Sequence, residues 1–286
     1  MSARLVATVA FLATIAAACG RVLDDGGDAP GASASDGGDV PDPGRDGGSP
    51  DGAPDDGAPV DRAGGGLYRA QVMSDAPLAY YRLEETVDVL GAADETGAFP
   101  AVYFGAFQLR PALAGDGFAR TFISSSSVSA TVDPAFDFPG ASPMSVEAWI
   151  APNSMSSGPR TVLSHFVPNP SNDPASRGRG YLLEVADETL TFYRGRATQG
   201  AGIGTPLLGN GPYHVVATYD GAIMSLYVDG SLVKAEPSNV MLEAEGVAFA
   251  VGARETIAGF DGTIDEVAVY PRALTPKRIR AHFDAR

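Results

Sequence analysis

The chain has one cysteine, one tryptophan and three histidines in 286 residues. A single thiol closes no internal disulfide, so no such staple contributes to folding. His165, His214 and His282 stand at none of the spacings that bind zinc, and the Gly-x-Ser-x-Gly turn of a serine nucleophile is missing. Basic residues are scarce: 20 Lys and Arg against 35 Asp and Glu give a net charge of −15. That balance excludes a surface built to grip phosphate, and with it nucleic acid as a partner. The uncharged, mostly apolar stretch Leu5 to Ala18 has 14 residues. It is too short to cross about 30 Å of hydrocarbon at about 1.5 Å per residue.

What the chain does carry begins with a processing signal. Arg4 supplies a short positive segment, and residues 1–18 read as a secretory signal peptide ending in small residues. Cys19 follows directly on Ile15-Ala16-Ala17-Ala18. This junction resembles a bacterial lipobox, with Ala16 where that motif usually has leucine. The resemblance implies that Cys19 is acylated and becomes the new N-terminus, so that the chain is exported and touches a membrane of the cell envelope through its lipid alone. Gly20, rather than a retention aspartate, points to the outer membrane or cell surface. Ordinary cleavage near Ala17 or Ala18, leaving a free thiol, is the other reading.

Residues 19–66 then form a tether. From 20 to 66 there are 14 Gly, 11 Asp and 6 Pro, with no aromatic residue and no glutamate. Such a segment cannot bury enough apolar surface to offset its ordering entropy, which predicts a disordered spacer. Its 11 Asp against 3 Arg give −8, and mutual repulsion extends it. A flexible chain of 47 residues has an end-to-end distance of roughly 40 Å, enough to lift a domain off a membrane. The Asp-Gly-Gly triplets at 25–27, 36–38 and 46–48 invite a calcium-loop reading, but an EF-type loop ends in a bidentate glutamate, which is missing.

The remainder, 67–286, holds 24 acidic and 16 basic residues and is long enough for one sandwich-sized domain. Its clearest stretch is 213–234, where Asp220-Gly221 and Asp229-Gly230 divide β-branched and aromatic residues into three antiparallel strands. Further strand-like runs are 78–83, 102–109, 119–123, 128–132, 144–151, 161–166, 181–185, 189–194, 246–252 and 262–270. Ser145-Val146-Glu147-Ala148-Trp149-Ile150 alternates with period two, as a strand with one buried face should. One helix is expected, at the end of the chain, with Thr275 as N-cap, Pro276 in its first position and Ile279 and Phe283 on one face. Together these predict an all-β, two-sheet antiparallel jelly-roll sandwich with a short C-terminal helix.

Four segments carry a resemblance. They are Ala76-Pro77-Leu78-Ala79-Tyr80-Tyr81-Arg82-Leu83-Glu84-Glu85, Met144-Ser145-Val146-Glu147-Ala148-Trp149-Ile150, the 213–230 meander, and Phe260 to Tyr270 with Arg272-Ala273-Leu274. In order and spacing these are similar to the laminin-G-like (LamG, pentraxin-like) domains of the concanavalin A-like lectin/glucanase superfamily. Tyr81 stands where that family usually has Trp, and Met144 where it has an aromatic. The segments are strands, turns and core aromatics, so Trp149, Tyr219 and Tyr227 read as packing residues rather than sugar platforms.

The resemblance also implies a rim calcium site, with Asp94 from the early loop Asp94-Glu95-Thr96-Gly97 and Asp265 from the closing strand. On a regular strand Asp265 and Glu266 point to opposite faces, so at most one turns inward. Arg272 or a backbone cap would serve Asp265 equally well. Glycosidases of the superfamily carry Glu-x-Asp-x-x-Glu, which is missing here, and Glu184 to Glu188 has the wrong spacing. Gly200-Ala201-Gly202-Ile203-Gly204 opens no helix and so is no phosphate loop. Two Gly-rich polar stretches, 168–180 and 194–210, read as long loops. Arg177 and Arg179 on the first are suited to an anionic sugar or a protein carboxylate, although a solvated loop explains them as well. The expected function is non-catalytic binding of a glycan. Adhesion to an extracellular protein or matrix is the alternative, and an accessory domain of a hydrolase or lyase the third reading.

Overall fold

The computed structural model describes residues 65–85, 90–154, 158–169, 178–254 and 258–286. The signal segment, Cys19, Arg177 and the tether up to residue 64 lie outside the described residues. Helix α1 (Gly65–Ser74) comes first. It is followed by β1 (Ala79–Tyr81), β2 (Gly91–Ala92), β3 (Ala101–Phe104), β4 (Gln108–Pro111), β5 (Phe118–Phe122) and β6 (Ser127–Ala130). Then come β7 (Met144–Pro152), β8 (Arg160–Pro168), β9 (Gly178–Ala186), β10 (Thr189–Arg196) and β11 (Gln199–Pro206). The chain closes with β12 (Tyr213–Tyr219), β13 (Ile223–Val228), β14 (Ser231–Pro237), β15 (Ala250–Val251), β16 (Gly262–Tyr270) and helix α2 (Pro276–Asp284).

The strands form two eight-stranded sheets with antiparallel pairing throughout, the jelly-roll sandwich expected from the turn spacing. The first runs β14-β13-β12-β7-β16-β5-β4, with β1 also on β16; the second runs β11-β10-β9-β8-β15-β6-β3-β2. Between them lies the main core, in which Val146, Ala148 and Ile150 of β7 meet Leu183, Phe192 and Val251 of the second sheet.

The central meander follows its sequence closely. Asp229 and Gly230 sit at φ +51° and +73°, the paired positive values of a tight primed hairpin. A Cβ on Gly230 would meet Phe283 Cβ and Arg280 Cδ of α2 at 3.0 and 3.1 Å, so this turn also lets the helix approach. The other turn works differently. Only Gly221 has positive φ there (+106°), and the Asp220 carboxylate accepts from the backbone of Ala222 and Ile223 at 2.9 and 2.7 Å. Helix α2 begins as expected, with Pro276 first and the Thr275 hydroxyl accepting from Arg278 N at 3.3 Å.

Some features depart from expectation, among them the expected strand 246–252, of which only β15 forms. Helix α1 was not foreseen, because its Gly-Gly start lacks a capping residue. The run 102–109 is two strands, split by Gly105 at φ +89°. Strand β7 buries both of its faces. Tyr68 and Val72 of α1 and Ile279 of α2 form a second core with Trp149, Val216, Ala268 and Tyr270 on the outer face of the first sheet. Trp149, 2% exposed, stacks on Phe283 with ring centroids 5.9 Å apart and is a core residue.

The polar side chains of β7 tie this layer down. Glu147, fully buried, accepts from Tyr68 OH at 2.8 Å and Tyr270 OH at 2.7 Å, and lies 2.7 Å from His214 Nε2 and 3.0 Å from His282 Nδ1. Burial alone would raise its pKa. The charge of His282 and the hydrogen bonds of His214 and His282 outweigh that and hold it well below the usual carboxylate range. His282 meets Asp75 Oδ2 at 2.8 Å through its other nitrogen, so both ring nitrogens must carry protons. Burial pulls its pKa down, but Glu147 and Asp75 raise it above the ordinary value of 6.5. Ser145 Oγ completes the anchoring by donating to Arg272 O (2.9 Å) and accepting from Leu274 N (2.8 Å).

A raised folded-state pKa for His282 means that its contribution is complete below 6.5 and is lost as pH rises through that higher value. The melting temperature of the wild type should therefore fall on the alkaline side of 6.5, and His282→Asn should flatten that part of the profile. Parallel profiles for the two proteins in differential scanning calorimetry would contradict the imidazolium clamp.

Candidate functional site

The two residues expected to share a calcium ion stand in different settings. Asp94 accepts from the backbone N–H groups of Tyr80 (2.8 Å), Thr96 (3.1 Å), Ala98 (3.1 Å) and Phe99 (2.9 Å), and from the Thr96 hydroxyl. Five donors exceed the roughly four lone-pair sites of a carboxylate, while calcium takes about six to eight oxygens whose lone pairs point at it. Asp94 therefore organises the 94–99 loop.

Asp265 lies on the outer, helix-covered side of the first sheet, and so does Glu266. Asp265 pairs with Trp149 and Ala268 with Glu147, so β16 spends three residues where β7 spends two. Glu266 has φ +52° within this bulge. The extra residue removes the opposite-face arrangement expected of a regular strand. Asp265 Oδ2 accepts from Leu113 N at 2.8 Å, while Glu266 accepts from the Tyr80 hydroxyl and from Arg82 Nε. Burial pushes the Asp265 carboxyl up to about 7. Burial, reinforced by Asp265, pushes Glu266 well above its ordinary range against the pull of Arg82. Among the described residues no group of three His, Cys, Asp or Glu is placed to hold a metal ion, and Asp265 Oδ1 has no hydrogen-bond partner there.

Arg179 belongs to β9 rather than to a loop. Its Nε donates to Glu245 Oε2 at 2.7 Å; the Glu245 side chain is nearly buried, while that of Arg179 stays 42% exposed. The other stretch expected as a loop, 194–210, is largely the end of β10 and strand β11.

The open ground lies at the rim where β7 ends and β16 begins. Two clefts meet at Asn153. One, of about 390 Å³, is bounded by Ser154, Glu188 and the 207–210 loop. The other, of about 400 Å³, is bounded by Phe107, Gln108, Arg110, Thr121, Ile123 and Thr263. Gly209 and Gly211, at φ +92° and +84°, turn the first loop back into β12, and Tyr213 OH holds Gly209 O at 2.9 Å.

Asn153 is pinned by Asp261, donating its backbone N–H to Asp261 O at 2.9 Å and its Nδ2 to Asp261 Oδ1 at 2.8 Å, and among the described residues its amide oxygen is unspent. Paired strands β5 and β16 bring the Thr121 and Thr263 hydroxyls within 3.1 Å. On β4, Arg110 donates to Gln108 Oε1 at 3.0 Å. Beside these polar groups Ile123 is 47% exposed and Leu208 89% exposed. The rim thus presents amide and guanidinium groups next to bare apolar side chains, with the Thr121–Thr263 hydroxyl pair largely buried beside them. Of these residues the sequence singled out only the 207–210 loop, as the end of the 194–210 stretch; Arg110, Thr121, Asn153 and Thr263 lie in separated segments with no motif spacing.

If Asp94 serves backbone donors, Asp94→Ala should destabilise the domain equally in calcium and in chelator. A loss of stability that appears only when calcium is present would restore Asp94 as a metal ligand. Urea unfolding in the two buffers measures this.

A family model described as the concanavalin A-like lectin/glucanases superfamily (Laminin_G_3) matches residues 124–280, which leaves the opening segment at 76–85 outside the match. Curated protein sequences yield no match. Among solved structures the chain is similar to the binding domain of botulinum neurotoxin DC in complex with SialylT. Identity is 16%, coverage is 74% of this chain and 52% of that chain, and the TM-score is 0.57. The same domain in complex with rat synaptotagmin II gives 15%, 73% and 52%, and 0.54. The binding domain of botulinum neurotoxin serotype G gives 12%, 72% and 50%, and 0.57. The chain spans about half the length of these structures, and at such identity the likeness is one of fold. With the match over 124–280 and the two-sheet sandwich, the chain belongs to the concanavalin A-like lectin/glucanases superfamily.

Proposed function

We propose that this chain is an exported, non-catalytic carbohydrate-binding module, anchored in the cell envelope through an acylated Cys19 and binding at the rim clefts that meet at Asn153. The observation that carries the reading is the chemistry of those clefts. A sugar offers hydroxyls along its edge and a C–H face, and the clefts set the Asn153 amide, the Thr121–Thr263 hydroxyl pair and Arg110 beside Ile123 and Leu208. The three histidines are buried, as are Asp265 and Glu266, so none of them is at hand for acid–base work in the clefts. Fold likeness to a neurotoxin binding domain in complex with SialylT supports the reading at the level of architecture.

A protein partner is the second reading, favoured by one feature. All seven residues of the edge strand β14 are exposed, including Leu232 and Val233, which offers a strand for β-augmentation. Lys234 and Pro237 on that strand are the kind of residues that blunt an edge against pairing.

A glycan array with the wild-type chain and Asn153→Ala tests the site. Loss of a bound glycan by at least about tenfold, with an unchanged melting temperature, is the expected outcome. Equal binding by the two proteins would sink the rim site, and no binding to any glycan would shift the assignment to a protein partner. For the anchor, palmitate labelling of the expressed chain should vanish in Cys19→Ser; undiminished labelling, or none in the wild type, would refute it.

A further inference from the structure

Arg194 on β10 is among the largest side chains that the fold buries completely. Leu190 and Phe192 of the same strand enter the main core, and alternation carries Arg194 to that inner face too. There its guanidinium lies over the ring of Tyr219, 3.5 Å from the centroid, and Nη1 donates to Val240 O at 3.3 Å. The Tyr219 hydroxyl is spent on Gly221 O and Ser238 O at 2.8 and 3.1 Å, so the tyrosine offers chiefly its face.

The other edge of the guanidinium is unmet among the described residues: Nε and Nη2 have no hydrogen-bond partner there. These two nitrogens form the fork with which arginine grips a carboxylate or another anion. Among the described residues no carboxylate stands within ion-pair distance of Arg194. A guanidinium keeps its proton, so the charge cannot be relieved by titration, and an unpaired buried charge is among the most expensive groups a core can hold. Its register partner on β11, Ala201, is a small residue.

We propose that the Nε–Nη2 edge of Arg194 holds a small monovalent anion, a halide or a formate-sized carboxylate, enclosed between the two sheets. Complete burial excludes a glycan or a peptide from this position. The site is separate from the rim clefts, so its test is independent of the glycan reading.

The full chain is melted at constant ionic strength while gluconate, too large to enter, is replaced by chloride, bromide or formate. A saturable rise of about 3 °C is expected for at least one of the small anions, absent in Arg194→Met and reduced in Arg194→Lys, which keeps the charge without the fork. A rise for halides alone assigns a halide, and a rise for formate too assigns the shared chemistry. Chloride-35 line broadening by the folded wild-type chain, reversed by bromide, reads the same site should Arg194→Met fail to fold. Equal melting temperatures in all four salts, the same rise in Arg194→Met, or no excess line width together with no rise in formate would overturn the assignment.

Discussion

The outer half of this domain depends on one buried carboxylate. Glu147 sits at the centre of the first sheet and gathers donors from four elements: Tyr68 from α1, His214 from β12, Tyr270 from β16 and His282 from α2. A sheet whose outer face carries serine and glutamate would ordinarily turn that face to water. Here the donors neutralise the carboxylate and allow the two helices to close over it. The arrangement is specific because its parts are useless singly. Without Glu147, the cation of His282 would be buried with only Asp75 beside it, and breaking buried pairs of this kind typically costs about 3–5 kcal/mol.

Closing the first sheet with helices has a consequence for recognition. Its outer face is committed to packing, and its two most conspicuous carboxylates, Asp265 and Glu266, are sealed beneath the same layer by the bulge in β16. What remains open around the first sheet is its rim, where strands end and loops turn over. The rim clefts are built on rigid supports: Asn153 is held through Asp261, and Thr121 and Thr263 are fixed by strand pairing. Groups held by paired backbone lose little freedom when a ligand binds.

How far the sequence could be read depended on whether the signal was local. Asp229-Gly230 named its hairpin because φ is positive at both positions, and Thr275-Pro276 named the start of α2. Strand β11 went unseen because Gln199-Gly200-Ala201-Gly202-Ile203-Gly204 has the composition of a loop. Its glycines face the side where Tyr193 lies across the sheet, and a Cβ on Gly200 would stand 1.9 Å from the Tyr193 hydroxyl oxygen. Arg179 looked like a free loop cation because Glu245, its partner, lies 66 residues further along the chain. The candidate binding residues were illegible for a related reason: Arg110, Thr121, Asn153 and Thr263 become neighbours only once β4, β5, β7 and β16 lie side by side.

The sequence by itself determined the class of fold, the order of most strands, the closing helix and membership of a lectin-like superfamily, since turns, caps and period-two patterns act over a few residues. Only the tertiary structure decided which polar groups are buried. The donors to Glu147 include Tyr68, 79 residues before it, and His282, 135 residues after it. One inserted residue in β16 put Asp265 and Glu266 on the same side of the sheet. A polar residue on an alternating strand faces water or a helix according to what the rest of the chain lays over it, and no local pattern encodes that layer.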